Sequence, residues 1–223
     1  MKYVSIDIET TGLDREKHQV LSIGAIIEDT TKKLSFEEIP KFYGLILHRE
    51  IIGSPRALTM NKDLIEMIGT YIEGNENIKN LMIDEHGKIF YEEDKIIPDL
   101  YRFFYRNGLG DFDVSDFMRE MQVIDGISYP SINGKTKPIV INVAGKNFGT
   151  FDKLFLEKLT WFKKLIYVRQ RIIDPAILHC DWNNDEFLPS LEVCKERSGF
   201  EKKVSHNALE DAWDVITVLR KFY

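Results

Sequence analysis

The chain has little cysteine, no long apolar run and no excess of basic charge, and each absence removes a class of protein. Only Cys180 and Cys194 occur in 223 residues. Two are too few for a disulfide framework, and their spacing matches no zinc motif. A reducing, cytoplasmic setting is therefore expected. No stretch approaches the ~20 apolar residues that a membrane-spanning helix needs, so no membrane is expected as a partner. The first apolar run is short and meets acidic residues at once, unlike a secretory signal. Lysine and arginine number 30 against 36 aspartates and glutamates, giving a net charge of −6. A protein that coats nucleic acid non-specifically needs the opposite balance. An acidic cleft loaded with metal and edged by a local basic rim remains compatible with this charge. Internal repeats and low-complexity tracts are also absent.

What is there reads as one domain, residues 1–223, with an insertion at about 73–137. Residues 2–9, 20–28 and 42–47 have strand patterns and short polar connections, which predicts an antiparallel meander. Ser54-Pro55 opens a short helix, and residues 62–72 carry a second. Residues 80–92 alternate around Glu85-His86-Gly87-Lys88, a hairpin signal. Residues 96–105 and 113–123 are helical in pattern, and 126–137 form a second hairpin or a loop. The last third predicts a strand at 138–143, a helix at 151–165 and a short strand at 171–173. Helices follow at 190–198, with Gly199 suited to its C-cap, and at 207–222. This order predicts an α/β fold with a mixed sheet flanked by helices.

The chemistry concentrates in three segments. The first is Ile6-Asp7-Ile8-Glu9-Thr10-Thr11-Gly12-Leu13-Asp14. Alternate residues of a strand share a face, so Asp7 and Glu9 point the same way. Two like charges on a half-buried strand repel, and burial disfavours both. A divalent cation is the usual remedy. The second segment is Asn147-Phe148-Gly149-Thr150-Phe151-Asp152, where Asp152 opens a helix. A carboxylate there also suits the helix dipole for purely structural reasons. The third is Ser205-His206-Asn207-Ala208-Leu209-Glu210-Asp211. Five residues of helix turn through about 500°, so His206 and Asp211 do not share a stripe. They converge only if His206 sits on the loop before the helix. A solvated histidine or a backbone cap is the plainer reading of His206 alone.

Together the three segments resemble the DEDDh family of 3′→5′ exonucleases, which includes polymerase proofreading subunits, oligoribonuclease and ribonuclease T. Leu188-Pro189-Ser190-Leu191 is similar to the helix that precedes the third motif in that family. The resemblance covers residues 1–60 and 138–223. It implies a ribonuclease H-like fold with an antiparallel meander plus parallel strands. It also implies two divalent cations, Mg²⁺ or Mn²⁺, held by Asp7, Glu9, Asp152 and Asp211, with His206 as general base. The implied partner is the 3′ end of a single-stranded nucleic acid, DNA before RNA. The implied reaction is hydrolysis that releases nucleoside 5′-monophosphates. Substrate contacts are implied at Thr10, Thr11, Gly12, Leu13, Met60 and Asn61, although Leu13 and Met60 also suit a core. Phe148 and Trp182 are loop aromatics that could stack on bases. Lys146, Lys153, Lys163, Lys164, Arg169 and Arg171 suggest a phosphate-tracking rim or a solvated face. A pairing of His and Asn is found before the second motif in many relatives, but here Asn147 lies one place further back. The 145 positions from Asp7 to Asp152 (152 − 7) exceed what a compact member needs. An exoribonuclease, a non-catalytic nucleic-acid-binding module on the same fold and a metal-dependent hydrolase of another phosphate ester are the alternatives. Neither a homodimer nor a polymerase partner is decided by the sequence.

Overall fold

The chain begins with three long strands, β1 (Lys2–Thr10), β2 (Val20–Asp29) and β3 (Lys41–Ile46). Two helices follow, α1 (Pro55–Met60) and α2 (Lys62–Ile72). Ser54 caps α1, its hydroxyl accepting the Ala57 N–H at 3.3 Å, and Pro55 supplies a preset φ at the first position. β4 (Phe90–Tyr91) leads into α3 (Glu93–Arg106). A small antiparallel array comes next: β5 (Met121–Ile124), β6 (Ile127–Ile132) and β7 (Lys135–Thr136). β8 (Ile139–Ile141) and β9 (Val143–Ala144) are separated by Asn142. Then come α4 (Asp152–Leu156), α5 (Phe162–Leu165), β10 (Ile166–Val168), α6 (Pro175–His179), α7 (Leu191–Arg197) and α8 (Ala208–Leu219). A short 3₁₀ turn, Arg220–Phe222, closes the chain. This computed structural model describes residues 1–74, 89–110, 121–124, 127–132, 135–202 and 205–223.

The central sheet has the order β4-β3-β2-β1-β9. β1, β2 and β3 are antiparallel, whereas β4 joins β3 and β9 joins β1 in parallel. β8 pairs with β10 in parallel, and Ile173 makes a single parallel bridge to Ala144. The result is the expected mixed α/β sheet with a meander at its centre.

The two faces of β1 differ. Val4, Ile6 and Ile8 turn toward the main core with Ile23, Ala25 and Ile27 of β2. Ile96, Leu100, Phe104, Phe155, Phe162 and Leu165, from α3, α4 and α5, complete that core. Burying each such side chain contributes about 1.5–3 kcal/mol. Tyr3, Ser5, Asp7 and Glu9 take the other face, which α8 covers through Ala212, Val215, Ile216 and Leu219. At the far end of α8 the Arg220 guanidinium donates to Glu28 of β2 at 3.1 and 2.7 Å. The Tyr223 hydroxyl donates to the same carboxylate at 3.2 Å, and lies 2.9 Å from that of Tyr3. Glu28 is fully buried, so this two-pronged pairing is what makes its charge tolerable.

Several expectations change. The helix expected at 151–165 is two short helices broken at Trp161, whose φ is +77°. The strand expected at 171–173 instead lies at 166–168, where Ile166-Tyr167-Val168 suits a pleated, half-buried surface. Ile173 keeps only its bridge. Of the helix expected at 113–123, residues 121–123 belong to strand β5 and the rest falls outside the described residues. Within the segment expected at 126–137 as a hairpin or a loop, β6 pairs antiparallel with β7, and residues 126, 133 and 134 lie outside the described residues. The turn of the hairpin expected at 80–92 also falls outside the described residues, and Phe90–Tyr91 pairs in parallel with β3. α3, which falls within the segment read as an insertion, packs into the main core.

Candidate active site

β1 sends Asp7 and Glu9 out on the α8 side of the sheet. Asp152, the first residue of α4, reaches back to the same strand, and its Oδ1 accepts the Ile8 backbone N–H at 3.2 Å. Asp211 lies in the first turn of α8 and accepts the Ser205 hydroxyl at 3.3 Å. Asn207 caps that helix, its Oδ1 accepting the Leu209 and Glu210 N–H groups at 3.0 and 3.3 Å. His206 stands just before the cap, exposed, with φ +55°. The cap keeps His206 off the helix, and this lets it converge with Asp211 despite the spacing. Glu9, His206 and Asp211 each place a ligand atom within 4.8 Å of the others.

These carboxylates destabilise one another. Burial, then Asp152, Asp211 and Glu9 in turn, hold the Asp7 carboxyl well above its usual range. Burial followed by Asp211 pushes Glu9 up to about 7, against a smaller opposing pull from the Asn61 amide. Burial raises Asp152 to about 7, although its own and Ile8's backbone N–H groups pull the other way. Burial and Asp214 raise Asp211 to about 7, with Ser205 opposing. Among the described residues no lysine or arginine forms an ion pair with any of the four. Lys195, the nearby cation, is engaged by Asp214 at 2.5 Å. An all-oxygen donor set carrying up to four negative charges fits hard divalent cations such as Mg²⁺ or Mn²⁺.

A knot of hydrogen bonds holds the turn after the carboxylate pair. The Thr10 hydroxyl donates to the Gly12 carbonyl at 2.8 Å, and Asn61 Nδ2 donates to the Thr10 carbonyl at 3.2 Å. The Thr11 hydroxyl donates to the Ile52 carbonyl at 2.6 Å and accepts the Gln19 N–H at 2.9 Å. The Thr11 carbonyl accepts the Ser54 N–H at 2.8 Å. The His18 ring fills the space where a Gly12 side chain would be, 2.4 Å from a would-be Cβ. Leu13 is thereby thrust into solvent, 84% exposed. A cavity of about 410 Å³ opens beneath it, lined by Glu9, Thr10, Gly12, Leu13, Met60 and Asn61 among others.

The sequence-predicted contacts separate cleanly. Thr10, Gly12, Leu13, Met60 and Asn61 line the cavity. Thr11 does not: it is fully buried, and its amide and hydroxyl are engaged within the turn. Phe148 is also fully buried, in the main core, so its ring cannot stack on a base. Phe151 and Arg56 line the cavity instead, and neither was expected. A loop aromatic's depth depends on which way the turn folds, and sequence pattern does not report this. Trp182 is exposed. In the basic segment, Lys146 leans on Asn147 at 2.6 Å and Lys153 on Glu157 at 3.7 Å, whereas Lys163, Lys164, Arg169 and Arg171 are exposed.

The mixed sheet with a meander at its centre is a fold shared with solved exonucleases, a DEDDh family member among them. Escherichia coli exonuclease I in complex with a dT13 oligonucleotide superposes with a TM-score of 0.54 at 12% identity, covering 99% of this chain and 40% of that one. A moderately thermophilic exonuclease I from Methylocaldum szegediense gives 0.52 at 14% identity, covering 98% and 39%. The nuclease domain of 3′hExo, a DEDDh family member bound to rAMP, gives 0.53 at 10% identity, covering 99% and 90%. The chain thus spans about two fifths of the exonuclease I chains and nearly the full 3′hExo nuclease domain. No protein-family profile and no curated protein sequence matches it. Among the described residues no helix is long and apolar enough to cross a membrane.

Proposed function

We propose that the protein is a divalent-metal-dependent 3′→5′ exonuclease that removes nucleoside 5′-monophosphates from single-stranded nucleic acid, DNA before RNA. The observation that carries this is the convergence of Asp7, Glu9, Asp152 and Asp211, with no lysine or arginine among the described residues in an ion pair with them. Asp7, Glu9, Asp152 and Asp211 would hold the cations. With two divalent cations held there, the pKa of a bound water would be lowered and charge on the leaving oxygen would be stabilised. His206 reaches the same spot from an exposed position and takes the proton from the attacking water. The new bond joins that water oxygen to phosphorus, and the bond from phosphorus to the 3′ oxygen of the preceding nucleotide breaks. Leu13 and Met60 offer apolar walls to a terminal base, and Asn61 keeps the turn in place beside it. The oligonucleotide bound by E. coli exonuclease I supports a DNA substrate, and the rAMP on 3′hExo keeps RNA as the comparison arm.

The test is hydrolysis of 5′-labelled single-stranded DNA, duplex DNA and RNA in Mg²⁺ or Mn²⁺, with wild type beside Asp7→Ala. The expected result is a ladder descending from the 3′ end, present only with metal and absent in the variant. Full metal-dependent hydrolysis by a folded Asp7→Ala protein would overturn the reading. So would strand binding by wild type with no product in any arm, which would instead mark a non-catalytic binding module.

A further inference from the structure

Asp7, Gly24 and Tyr43 stand in line across β1, β2 and β3. Residues directly opposite in antiparallel pairs share a face, so all three look toward α8. Gly24 is where that helix comes down on the sheet. A Cβ built on Gly24 would lie 2.3 Å from both the carbonyl carbon and the carbonyl oxygen of Ala208, and 2.4 Å from the Leu209 nitrogen. These are backbone atoms of the first helical turn, so no change of rotamer makes room. β2 cannot recede, because Ile23 and Ala25 on either side of Gly24 are packed into the main core. Only the start of α8 can give way.

The start of α8 carries Asp211, its Asn207 cap and, just ahead, His206. Asp7 lies across the ladder from Gly24. The approach permitted at Gly24 therefore sets the gap between the helix-borne and strand-borne halves of the site. We propose that Gly24 is a positioning residue for the metal centre, its missing side chain fixing the separation of Asp211 and His206 from Asp7 and Glu9. This rests on the metal-dependent reading above. Ordinary non-bonded carbon contacts need about 3.5 Å, so Gly24→Ala displaces the helix start by roughly 1 Å. Displacement of that size costs a well-organised site about 10²-fold in rate.

The experiment titrates Mn²⁺ into wild type, Gly24→Ala and Gly44→Ala by calorimetry, with denaturant unfolding and steady-state kinetics alongside. Gly44 is the control. It lies on the opposite face, where a Cβ would meet the Ile96 Cδ1 tip at 2.8 Å and ring atoms of Phe42 and Tyr91 at 3.2 Å. Those side chains can yield. Folded Gly24→Ala is expected to bind Mn²⁺ about tenfold more weakly and to lose about 10²-fold in kcat, with KM within about threefold of wild type. Gly44→Ala is expected to lose stability alone. Folded Gly24→Ala that binds Mn²⁺ within about twofold of wild type overturns the proposal. Should Gly24→Ala not fold, Ala208→Val adds bulk at the fully buried helix residue whose carbonyl meets Gly24 and is judged by the same criterion. Wild type that binds no Mn²⁺ removes the metal-centre reading and this proposal together. Wild type that binds Mn²⁺ and cleaves, with Gly24→Ala indistinguishable from it, removes the positioning role alone.

Discussion

The two faces of β1 are built from interleaved residues of one strand yet obey opposite rules. On one side Val4, Ile6 and Ile8 gain free energy by leaving water. On the other, Asp7 and Glu9 are pressed together with Asp152 and Asp211, each raising another's affinity for protons. The difference teaches where the site's electrostatic strain is borne. The apolar face, with α3, α4 and α5 against it, is stable enough to hold its neighbours in a repulsive arrangement.

The largest effect should come from the acidic face. Asp7→Asn keeps the shape and removes a charge. Hydrolysis is expected to fall by at least ~10³-fold, about 4 kcal/mol of barrier, while the melting temperature without metal rises. A fall in both would show that Asp7 serves the fold. Next is the apolar face. Ile6→Ala should cost about 2–5 kcal/mol in urea unfolding and leave activity per folded molecule near wild type. Loss of activity without loss of stability would erase the division between faces.

The third effect is on pH. Glu9, Asp152 and Asp211 have folded-state pKa values of about 7, above those of the unfolded chain. Between pH 4 and 7 the folded state therefore binds more protons than the unfolded one, and stability without metal falls as pH rises. A melting-temperature drop on the order of 5 °C is expected over that range, with Mg²⁺ or Mn²⁺ restoring more at pH 8 than at pH 5. A flat profile, or one that rises with pH, would mean the carboxylates are not coupled as described. The smallest effect belongs to the cavity. Leu13→Ala should raise KM about three- to tenfold on single strands with little change in kcat, because it removes apolar contact without touching the carboxylates. Unchanged KM would place the terminal base elsewhere.

Much of this could be read from residue order. A spacing of two puts Asp7 and Glu9 on one face of any strand, and the 62–72 helix has the bounds its pattern predicts. What escaped depends on distant partners. Nothing local tells that Ile166-Tyr167-Val168 leaves the helical run to pair with β8. Nothing local sends the Phe148 ring inward and Phe151 toward the cavity, since both lie in one glycine-containing turn. The hydrogen bond from the Ile8 N–H to Asp152 joins residues 144 positions apart, and sequence pattern cannot report such a contact. The approach of Ala208 to Gly24 is invisible for the same reason.

The bond from Arg220 to Glu28 spans 192 positions and ties the last helix to the second strand. Such pairings are slow to form, because a long loop must close before its contacts stabilise anything. β1 and β2 can meet early in synthesis, but Asp211 joins them only when α8 docks. A growing chain would therefore pass through a compact stage that carries Asp7 and Glu9 without their helical partner. Refolding experiments with Mn²⁺ present should show metal uptake in the slowest phase, in step with burial of Arg220 against Glu28.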